Sequence, residues 1–291
     1  MIGKPRNILP RLLNNVTRII KYSTYKLDLV MYTFLLSPSP LSILNKKFYK
    51  KLDYPRYSIT MKIESVDQLY RLYSCKKEPE TIQWIEEFIK PDEVFYDIGA
   101  NVGAYSLVCY AHAQGKIQIY SFEPGFTTYS ALCENIIINA FNDKIIALPF
   151  VLSDQTKINK FYYSSISPGA ASHSVGTDIV RHEDNIPASL NNSMNTYNYV
   201  VSYRLDDLIS TFNLKKPNHV KIDVDGHELE VIKGCENLLN SPDLKTILIE
   251  IDKNSPGSDL IIEILKNKKF KIHKIFPHGN GILSNYIFIR S

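Results

Sequence analysis

The sequence has 291 residues, of which 44% are hydrophobic and 22% charged, with 12 Gly, 15 Pro, 4 Cys and a net charge of +4. This composition is typical of a folded globular protein, because disordered chains contain fewer apolar residues and collagen-like chains far more glycine. The four cysteines include no C-x-x-C pair, which argues against a zinc cluster or a disulfide scaffold.

The positive charge belongs to the N-terminal segment. Residues 1–52 hold ten Lys or Arg and a single acid, for a charge of +9, whereas the rest of the chain carries −5. We therefore predict two units, a basic and mainly helical extension at 1–60 and a main domain at 61–291.

The apolar stretch 27–36 is too short to span a bilayer. We expect a cytoplasmic protein whose residues 1–52 could touch an anionic membrane surface, and no nucleic-acid partner, because the main domain is acidic.

Beyond residue 61 the apolar periodicity alternates between that of strands and that of helices. It predicts helices at 80–89, 104–113, 127–140, 228–239 and 258–267. It predicts strands at 94–97, 117–122, 144–151, 219–224, 245–251, 270–276 and 283–289. This order indicates an α/β fold with a parallel sheet and an antiparallel terminal pair. The polar stretch 159–200 is predicted to be a long loop over the active edge of the sheet.

A turn rich in small residues, 97–103, joins a predicted strand to a predicted helix. Its G-x-x-x-G spacing matches neither the dinucleotide motif nor the phosphate loop. Asp97 lies two residues before Gly99, and a carboxylate there repels pyrophosphate but suits a ligand that carries an ammonium and a sulfonium group. S-adenosylmethionine is such a ligand.

The next two strands also end in polar residues. Glu123 follows the second strand, where a carboxylate can accept both ribose hydroxyls. Ser153 and Asp154 follow the third strand, where they could hydrogen-bond the adenine amino group. The alternative is that each acid caps a helix, which is plausible for one acid and weak for all of them.

These motifs resemble the FkbM family of S-adenosylmethionine-dependent methyltransferases in order and spacing, over about residues 75–290. The resemblance is carried by 96–106 (YDIGANVGAYS), 122–124 (FEP), 152–154 (LSD), 203–208 (YRLDDL), 220–228 (VKIDVDGHE) and 231–234 (VIKG). It implies a Rossmann-like class I methyltransferase fold, with a mostly parallel seven-stranded sheet, an antiparallel terminal strand and helices on both faces. It also implies methyl transfer to a hydroxyl of a saccharide or secondary metabolite.

The resemblance and the strand ends together give a set of cofactor-binding candidates. These are Glu78, Asp97, Gly99, Asn101, Gly103, Ser106, Glu123, Pro124, Ser153 and Asp154. The sequence departs from the family pattern at Asp225, where Glu is usual, and at His227, where an apolar or small residue is common. Both positions belong to the expected reaction centre, so they bear on the acceptor more than on the cofactor.

Catalytic candidates cluster where the fourth predicted strand ends: Asp223, Asp225, His227 and Glu228. One of them is expected to accept the proton of the acceptor hydroxyl, and strand geometry favours Asp223. His227 is the alternative, since an ordinary histidine titrates near pH ~6.5. Carboxylates here, together with Glu250 or Asp252, could instead hold a divalent ion. We favour a reaction without a metal.

The sequence also bears on two other classes of function. A catalytically silent protein of the same fold could bind membrane or nucleic acid through its basic arm, and it would have no need of Asp97 or Glu123. A nicotinamide-dependent dehydrogenase is disfavoured because the phosphate-binding glycines are missing. The expected partner is a small-molecule or glycan acceptor.

Overall fold

The computed structural model describes residues 48–176, 196–278 and 281–291. Within these ranges the strands are β1 Phe48–Lys51, β2 Thr60–Ile63, β3 Glu93–Ile98, β4 Ile117–Phe122, β5 Ile145–Leu148, β6 Val151–Leu152, β7 Lys157–Tyr162, β8 Ser174–Val175, β9 Tyr197–Tyr203, β10 His219–Ile222, β11 Thr246–Asp252, β12 Phe270–Pro277 and β13 Leu283–Arg290. The helices there are α1 Val66–Arg71, α2 Ser74–Lys77, α3 Pro79–Phe88, α4 Ala104–His112, α5 Phe126–Ile138, α6 Leu205–Phe212, α7 Glu228–Lys233, α8 Glu236–Asn240 and α9 Ser258–Asn267.

The central sheet has seven strands in the order β12-β13-β11-β10-β3-β4-β5. The five strands from β11 to β5 pair in parallel, and β13 runs antiparallel to both of its neighbours. The predicted α/β fold with a mostly parallel seven-stranded sheet and an antiparallel terminal strand is confirmed. The chain extends the sheet from β3 toward β5 and later from β10 toward β13, so the strand order reverses between β3 and β10. In open α/β sheets, ligands bind in the crevice at such a reversal.

Helices cover both faces of this sheet, because its central strands are apolar on both sides. Phe95 packs into a core with Trp84 of α3 and Val108 of α4, whereas its neighbour Tyr96 packs into a second core with Val231 of α7. A parallel sheet is stable only when both faces are buried in this way. Each of these large side chains contributes about 1.5–3 kcal/mol by leaving water. The two cores hold the strand ends that form the site.

A second sheet, with the order β6-β9-β7-β8, corrects the prediction of a loop over 159–200. In β9, Val200 and Ser202 are buried, whereas the alternating residues Tyr199 and Val201 are 64% and 41% exposed. A strand that buries only one face keeps a polar composition, and this composition was interpreted as that of a loop. The central part of that stretch, 177–195, lies outside the described residues.

Two predicted elements are interrupted. The strand predicted at 144–151 ends at Leu148, and residues 151–152 join the second sheet instead. The helix predicted at 228–239 is divided into α7 and α8 at Gly234. A Cβ atom on Gly234 would lie 2.1 Å from the carbonyl oxygen of Ser153, so close packing of the backbone requires glycine there.

The last residues of the predicted extension, 48–60, pack on the main domain. β1 pairs antiparallel with β2, and Leu52 and Tyr54 between them are buried in the first core. The described part of the predicted helical extension, 48–60, is therefore a strand and a turn packed on the main domain. Residues 1–47, which hold the rest of that prediction, lie outside the described residues. None of the helices in the described part of the chain has the length and apolar character that crossing a membrane demands.

Candidate active site

A cavity of about 850 Å³ opens at the carboxyl ends of the central strands. Eight of the residues predicted for the site line it: Glu78, Gly99, Asn101, Glu123, Pro124, Asp223, Asp225 and His227. The other six lie outside its lining: Asp97, Gly103, Ser106, Ser153, Asp154 and Glu228. The motifs that follow three separate strands, β3, β4 and β10, therefore meet in one cavity.

The glycine turn brings two backbone segments into direct contact. Gly99 has a φ of +77°, and a Cβ atom there would lie 1.8 Å from the carbonyl oxygen of Asp223. The amide of Asp223 in turn donates to the carbonyl of Ile98, at 3.1 Å. Only glycine satisfies both the positive φ and this close approach. The cavity therefore has a floor made of backbone at the point where β3 and β10 end.

Asp97 lies beneath the turn and does not reach the cavity. Its side chain is fully buried, and its Oδ2 accepts a hydrogen bond from Ser106 Oγ at 2.6 Å. Ser106 also contacts Ser121 Oγ at 2.7 Å. Burial raises the pKa of Asp97, despite the nearby Lys221. These polar contacts fasten the start of α4 to β3 and β4, so the two residues shape the turn from below instead of contacting a ligand in the cavity.

Gly103 is likewise a packing position. Its φ is +87°, and a Cβ atom there would lie 2.5 Å from Leu132 Cδ1 of α5. This glycine is the residue immediately before α4. It allows α4 to begin close against α5, and it contributes to the cavity only by fixing the direction of the turn.

Glu123 is oriented by the backbone on both sides. Its Oε2 accepts a hydrogen bond from the amide of Asn101 at 3.0 Å, and its Oε1 accepts one from the amide of Gly125 at 2.8 Å. Burial raises the pKa of the carboxyl to about 7, although these two donors favour the charged form. Each carboxylate oxygen retains a second acceptor position. Glu123 is thus a fixed acceptor of hydrogen bonds in the wall of the cavity.

Asp223 forms a buried ion pair at the end of β10. Lys221 Nζ lies 2.8 Å from Asp223 Oδ2, and the lysine side chain is 1% exposed. Burial would raise the pKa of Asp223, but Lys221, together with Lys77 and Arg71, holds that pKa below its usual range. Burial would lower the pKa of Lys221, and Asp223 and Asp97 instead raise it. Asp223 is therefore an ionised carboxylate in the cavity wall, held in place by a lysine beneath it.

Glu228 does not face the cavity, which differs from the sequence prediction. Its Oε1 accepts hydrogen bonds from the amides of Val224 and Gly226, at 3.3 and 2.9 Å. Burial raises the pKa of this carboxyl to about 7. The side chain closes the loop that follows β10 by capping its amides, so its role in the structure is to hold Asp225 and His227 in position.

Asp225 and His227 both line the cavity and both contact other parts of the chain. Asp225 has a φ of +54°, and its Oδ2 accepts a hydrogen bond from the amide of Ser172 at 2.7 Å.

His227 Nε2 lies 3.0 Å from Ser153 Oγ, and burial lowers the pKa of the ring. His227 is therefore neutral at physiological pH. Ser153, which also donates to Asp154 at 3.2 Å, is turned toward His227 and is not exposed in the cavity.

The cavity is also lined by residues for which the sequence predicted no role: Arg71, Lys77 and His278. Glu250 and Asp252, the carboxylates of the divalent-ion alternative, line it as well. Arg71 and Lys77 precede the first motif of the family pattern, so no motif pointed to them. His173, from the polar stretch 159–200, also lines the cavity.

His173 is fixed in an aromatic setting. Its ring centroid lies 5.3 Å from those of Phe161 and Tyr163, and its Nδ1 accepts a hydrogen bond from the amide of Ser164 at 3.2 Å. Burial lowers the pKa of the ring to about 4, assisted by the charge of Arg71. His173 is therefore a neutral wall residue of the cavity.

Glu250 carries the largest shift among the carboxyls for which a value is resolved. Burial, together with the charges of Asp223 and Glu78, raises its pKa to about 9. At neutral pH it is therefore protonated and can donate a hydrogen bond.

Among residues 48–176, 196–278 and 281–291, no group of three or more His, Cys, Asp or Glu is arranged to hold a metal ion, so the alternative with Asp223, Asp225 and Glu250 or Asp252 gains no ligand set there.

This chain is similar in sequence to known methyltransferases. The family model of the methyltransferase FkbM domain matches residues 97–272. The hexuronic acid methyltransferase AglP of Haloferax volcanii is 29% identical over 204 residues, which cover 70% of this chain and 74% of that protein. The 31-O-demethyl-FK506 methyltransferase FkbM of Streptomyces tacrolimicus is 20% identical over 198 residues, which cover 63% of this chain and 75% of that protein.

A solved structure of a methyltransferase FkbM from Methylobacillus flagellatus KT is also similar. The two chains are 16% identical, with a TM-score of 0.47, and the match covers 77% of this chain and 53% of that one. This chain therefore spans about half the length of that structure.

Proposed function

This chain belongs to the methyltransferase FkbM family, and we propose that it transfers a methyl group from S-adenosylmethionine to a hydroxyl of a saccharide or related metabolite. The observation that carries the proposal is the joint geometry of Gly99 and Glu123. Gly99 packs so closely against the backbone of Asp223 that no Cβ atom fits there. In the same cavity, the carboxylate of Glu123 accepts hydrogen bonds from two backbone amides. A nucleoside with a short polar chain fits this combination, because its ribose needs paired acceptors and its chain needs close approach to the backbone.

The residues present fit the cofactor. Glu123 would accept its ribose hydroxyls, and Gly99 and Asn101 would leave room for its methionyl chain. Glu78 lines the same cavity near Lys77, where its carboxylate would face the ammonium group. When bound, the cofactor supplies an electrophilic methyl group on a sulfonium. Asp97 and Ser106 act indirectly, by holding the turn from beneath.

Asp223 is proposed to accept the proton of the acceptor hydroxyl. It lines the cavity, and the buried Lys221 orients its carboxylate and keeps it ionised. A carboxylate with a low pKa suffices, because an alcohol oxygen becomes strongly acidic as it gains a bond to the methyl carbon. The protein's main contribution is alignment of the acceptor in a site from which water is displaced.

Asp225 and His227 are proposed to bind the acceptor. Both line the cavity on the loop after β10, and the amide of Ser172 and the hydroxyl of Ser153 fix their side chains. A neutral histidine and a carboxylate together offer a donor and acceptors to sugar hydroxyls. Metal-assisted activation of the acceptor stays a secondary alternative.

A saccharide or a related small molecule is supported as the acceptor by two further points. The cavity volume of about 850 Å³ lies in the range of small-molecule sites. The two related proteins are named as methyltransferases of hexuronic acid and of 31-O-demethyl-FK506. The rival hypothesis, a silent protein that binds membrane or nucleic acid through residues 1–52, does not account for the formed cavity with its acidic wall.

The test is calorimetric titration of the full chain with S-adenosylhomocysteine, with NAD as the comparison ligand. We expect binding in the micromolar range for the first and none for the second. A radiolabelled methyl-transfer assay against uronic acids, neutral sugars and polyhydroxylated metabolites would then identify the acceptor class. A folded wild-type protein that binds NAD but not S-adenosylhomocysteine would overturn the proposal.

A further inference from the structure

Arg71, which no motif pointed to, projects into the cavity from the last position of α1. Its Nε donates a hydrogen bond to the carbonyl oxygen of Gly169 at 3.0 Å, and the side chain is half-buried. With Nε occupied in this way, the two terminal nitrogens of the guanidinium remain available. They form the end of a planar fork whose geometry matches the two oxygens of a carboxylate.

The contact of Arg71 with Gly169 is itself held rigidly. Gly169 has a φ of +87°, and a Cβ atom there would lie 3.1 Å from the amide nitrogen of Gln68. Ser65 Oγ donates to the carbonyl of the adjacent Pro168, at 2.5 Å, and the amide of Gly169 donates to Thr128 Oγ1 at 3.2 Å. Because α1, α5 and this loop are joined at one point, the guanidinium is positioned before any ligand arrives.

Arg71 differs from the other cations of the site in its charge balance. Lys221 is paired with Asp223 at 2.8 Å, and Lys77 is paired with Glu78 at 3.3 Å. No carboxylate within the described part of the chain lies at ion-pair distance from Arg71. A cation that lines a ligand cavity without a carboxylate partner favours an anionic group of the ligand.

Arg71 lines the same cavity as Glu123 and Asp223. Burial raises the pKa of Glu123, and the charge of Arg71 opposes that rise. Burial would also raise the pKa of Asp223, and Arg71 adds to the lowering by Lys221. The guanidinium therefore shares one cavity with the residue proposed for the ribose and the residue proposed for the acceptor.

We propose that Arg71 forms a carboxylate-binding subsite, in which its two terminal nitrogens pair with the two oxygens of a ligand carboxylate. This inference rests on the proposed function, because it identifies a chemical group that the same cavity recognises. Two ligands can supply the carboxylate: the methionyl chain of the cofactor, or an acceptor that carries a carboxylate, such as a uronic acid.

The experiment compares the wild type, Arg71→Gln and the matched control Arg56→Gln by calorimetry. Arg56→Gln is the matched control because it removes the same charge at the surface. The Arg56 side chain is 64% exposed and pairs with Glu86 away from the cavity. The first ligand pair is S-adenosylhomocysteine and 5′-methylthioadenosine, which shares the adenosyl thioether but lacks the carboxylate. The second pair is D-glucuronate and D-glucose, titrated into protein saturated with 5′-methylthioadenosine.

If the carboxylate belongs to the cofactor, Arg71→Gln weakens S-adenosylhomocysteine binding by about 10-fold to 100-fold, the loss expected for a charge-assisted pair, and leaves 5′-methylthioadenosine binding unchanged. If it belongs to the acceptor, the variant abolishes the preference of the wild type for glucuronate over glucose. Equal changes for both members of each pair, as a merely structural role predicts, overturn the subsite. Failure of the wild type to bind either adenosyl ligand overturns the proposed function itself, and is seen without any variant.

Discussion

The two ends of the cavity are built in different ways. At the end of β3 and β4, the geometry depends on the backbone: Gly99 leaves no room for a side chain, and Glu123 is oriented by two amides. At the end of β10 and β11, it depends on side chains, such as the pair of Lys221 and Asp223 and the hydrogen bond that Asp225 accepts from the distant Ser172.

This difference shows how one fold can keep its cofactor and change its acceptor. A site made of backbone tolerates few substitutions, because its geometry is that of the sheet itself. A site made of side chains can change one residue at a time without disturbing the strands. The departures from the family pattern, Asp225 and His227, both lie at the second end.

The largest effect is expected for Gly99→Ala, which tests the end of the cavity at β3 and β4. The added methyl group meets the Asp223 carbonyl and imposes strain at a φ of +77°. We expect a loss of about 3 kcal/mol or more in the free energy of unfolding, measured by urea denaturation, together with loss of S-adenosylhomocysteine binding. The control is Gly176→Ala, where φ is +73° but no atom lies within 4 Å. It should lose only about 1–2 kcal/mol, and equal losses would refute the steric argument.

The second prediction concerns Asp223→Asn, at the end of the cavity at β10 and β11. We expect kcat for methyl transfer to fall by about 10²-fold to 10⁴-fold, the usual range for a lost proton acceptor, while S-adenosylhomocysteine affinity changes little. Kinetics and calorimetry on the same preparation separate the two effects. Because the substitution leaves the ammonium of Lys221 buried without its partner, the double variant with Lys221→Met serves as the stability control. A kcat equal to that of the wild type would remove Asp223 from this role.

Glu123→Gln tests the ribose-binding assignment with a smaller effect. An amide cannot accept hydrogen bonds at both terminal atoms, so the amide of Asn101 or of Gly125 loses its partner. We expect about a tenfold weaker binding of S-adenosylhomocysteine. The wild-type affinity should also rise as pH rises through about 7, where the carboxyl ionises. The variant should lack that increment. A pH profile shared by both proteins would contradict the assignment.

The smallest effect is expected for Glu250→Gln, in a pH series of melting temperatures. Burial and the charges of Asp223 and Glu78 raise the pKa of Glu250 from 4.5 to about 9 in the folded protein, so the wild type loses stability as pH rises through that interval. The variant carries no such group. Its melting temperature should equal that of the wild type below the interval and exceed it at the upper end. A constant difference in melting temperature across the pH series would show that Asp223 and Glu78 do not raise the pKa of Glu250.

Much of the central fold could be predicted because its elements have strong local signals. The helix at 258–267 has the predicted bounds, and the antiparallel pair at the end of the chain is present. The weakest prediction was the stretch 159–200, since strands that bury a single face in a small sheet have the composition of a loop. Gly234 shows a further limit: the break between α7 and α8 depends on the distance to Ser153, which no local pattern encodes.

The sequence by itself determined the order of strands and helices, the glycine turn and the acids at successive strand ends, because these features follow from periodicity and from the conformations that each residue type allows. Only the tertiary structure decided which of those acids reach the cavity. It turned Asp97 and Glu228 toward neighbouring polar groups, and it brought Arg71 and Glu250 into the wall. The physical reason is that a side chain's role depends on the hydrogen-bond and charge partners that folding places beside it, and the periodicity of the sequence does not encode those partners.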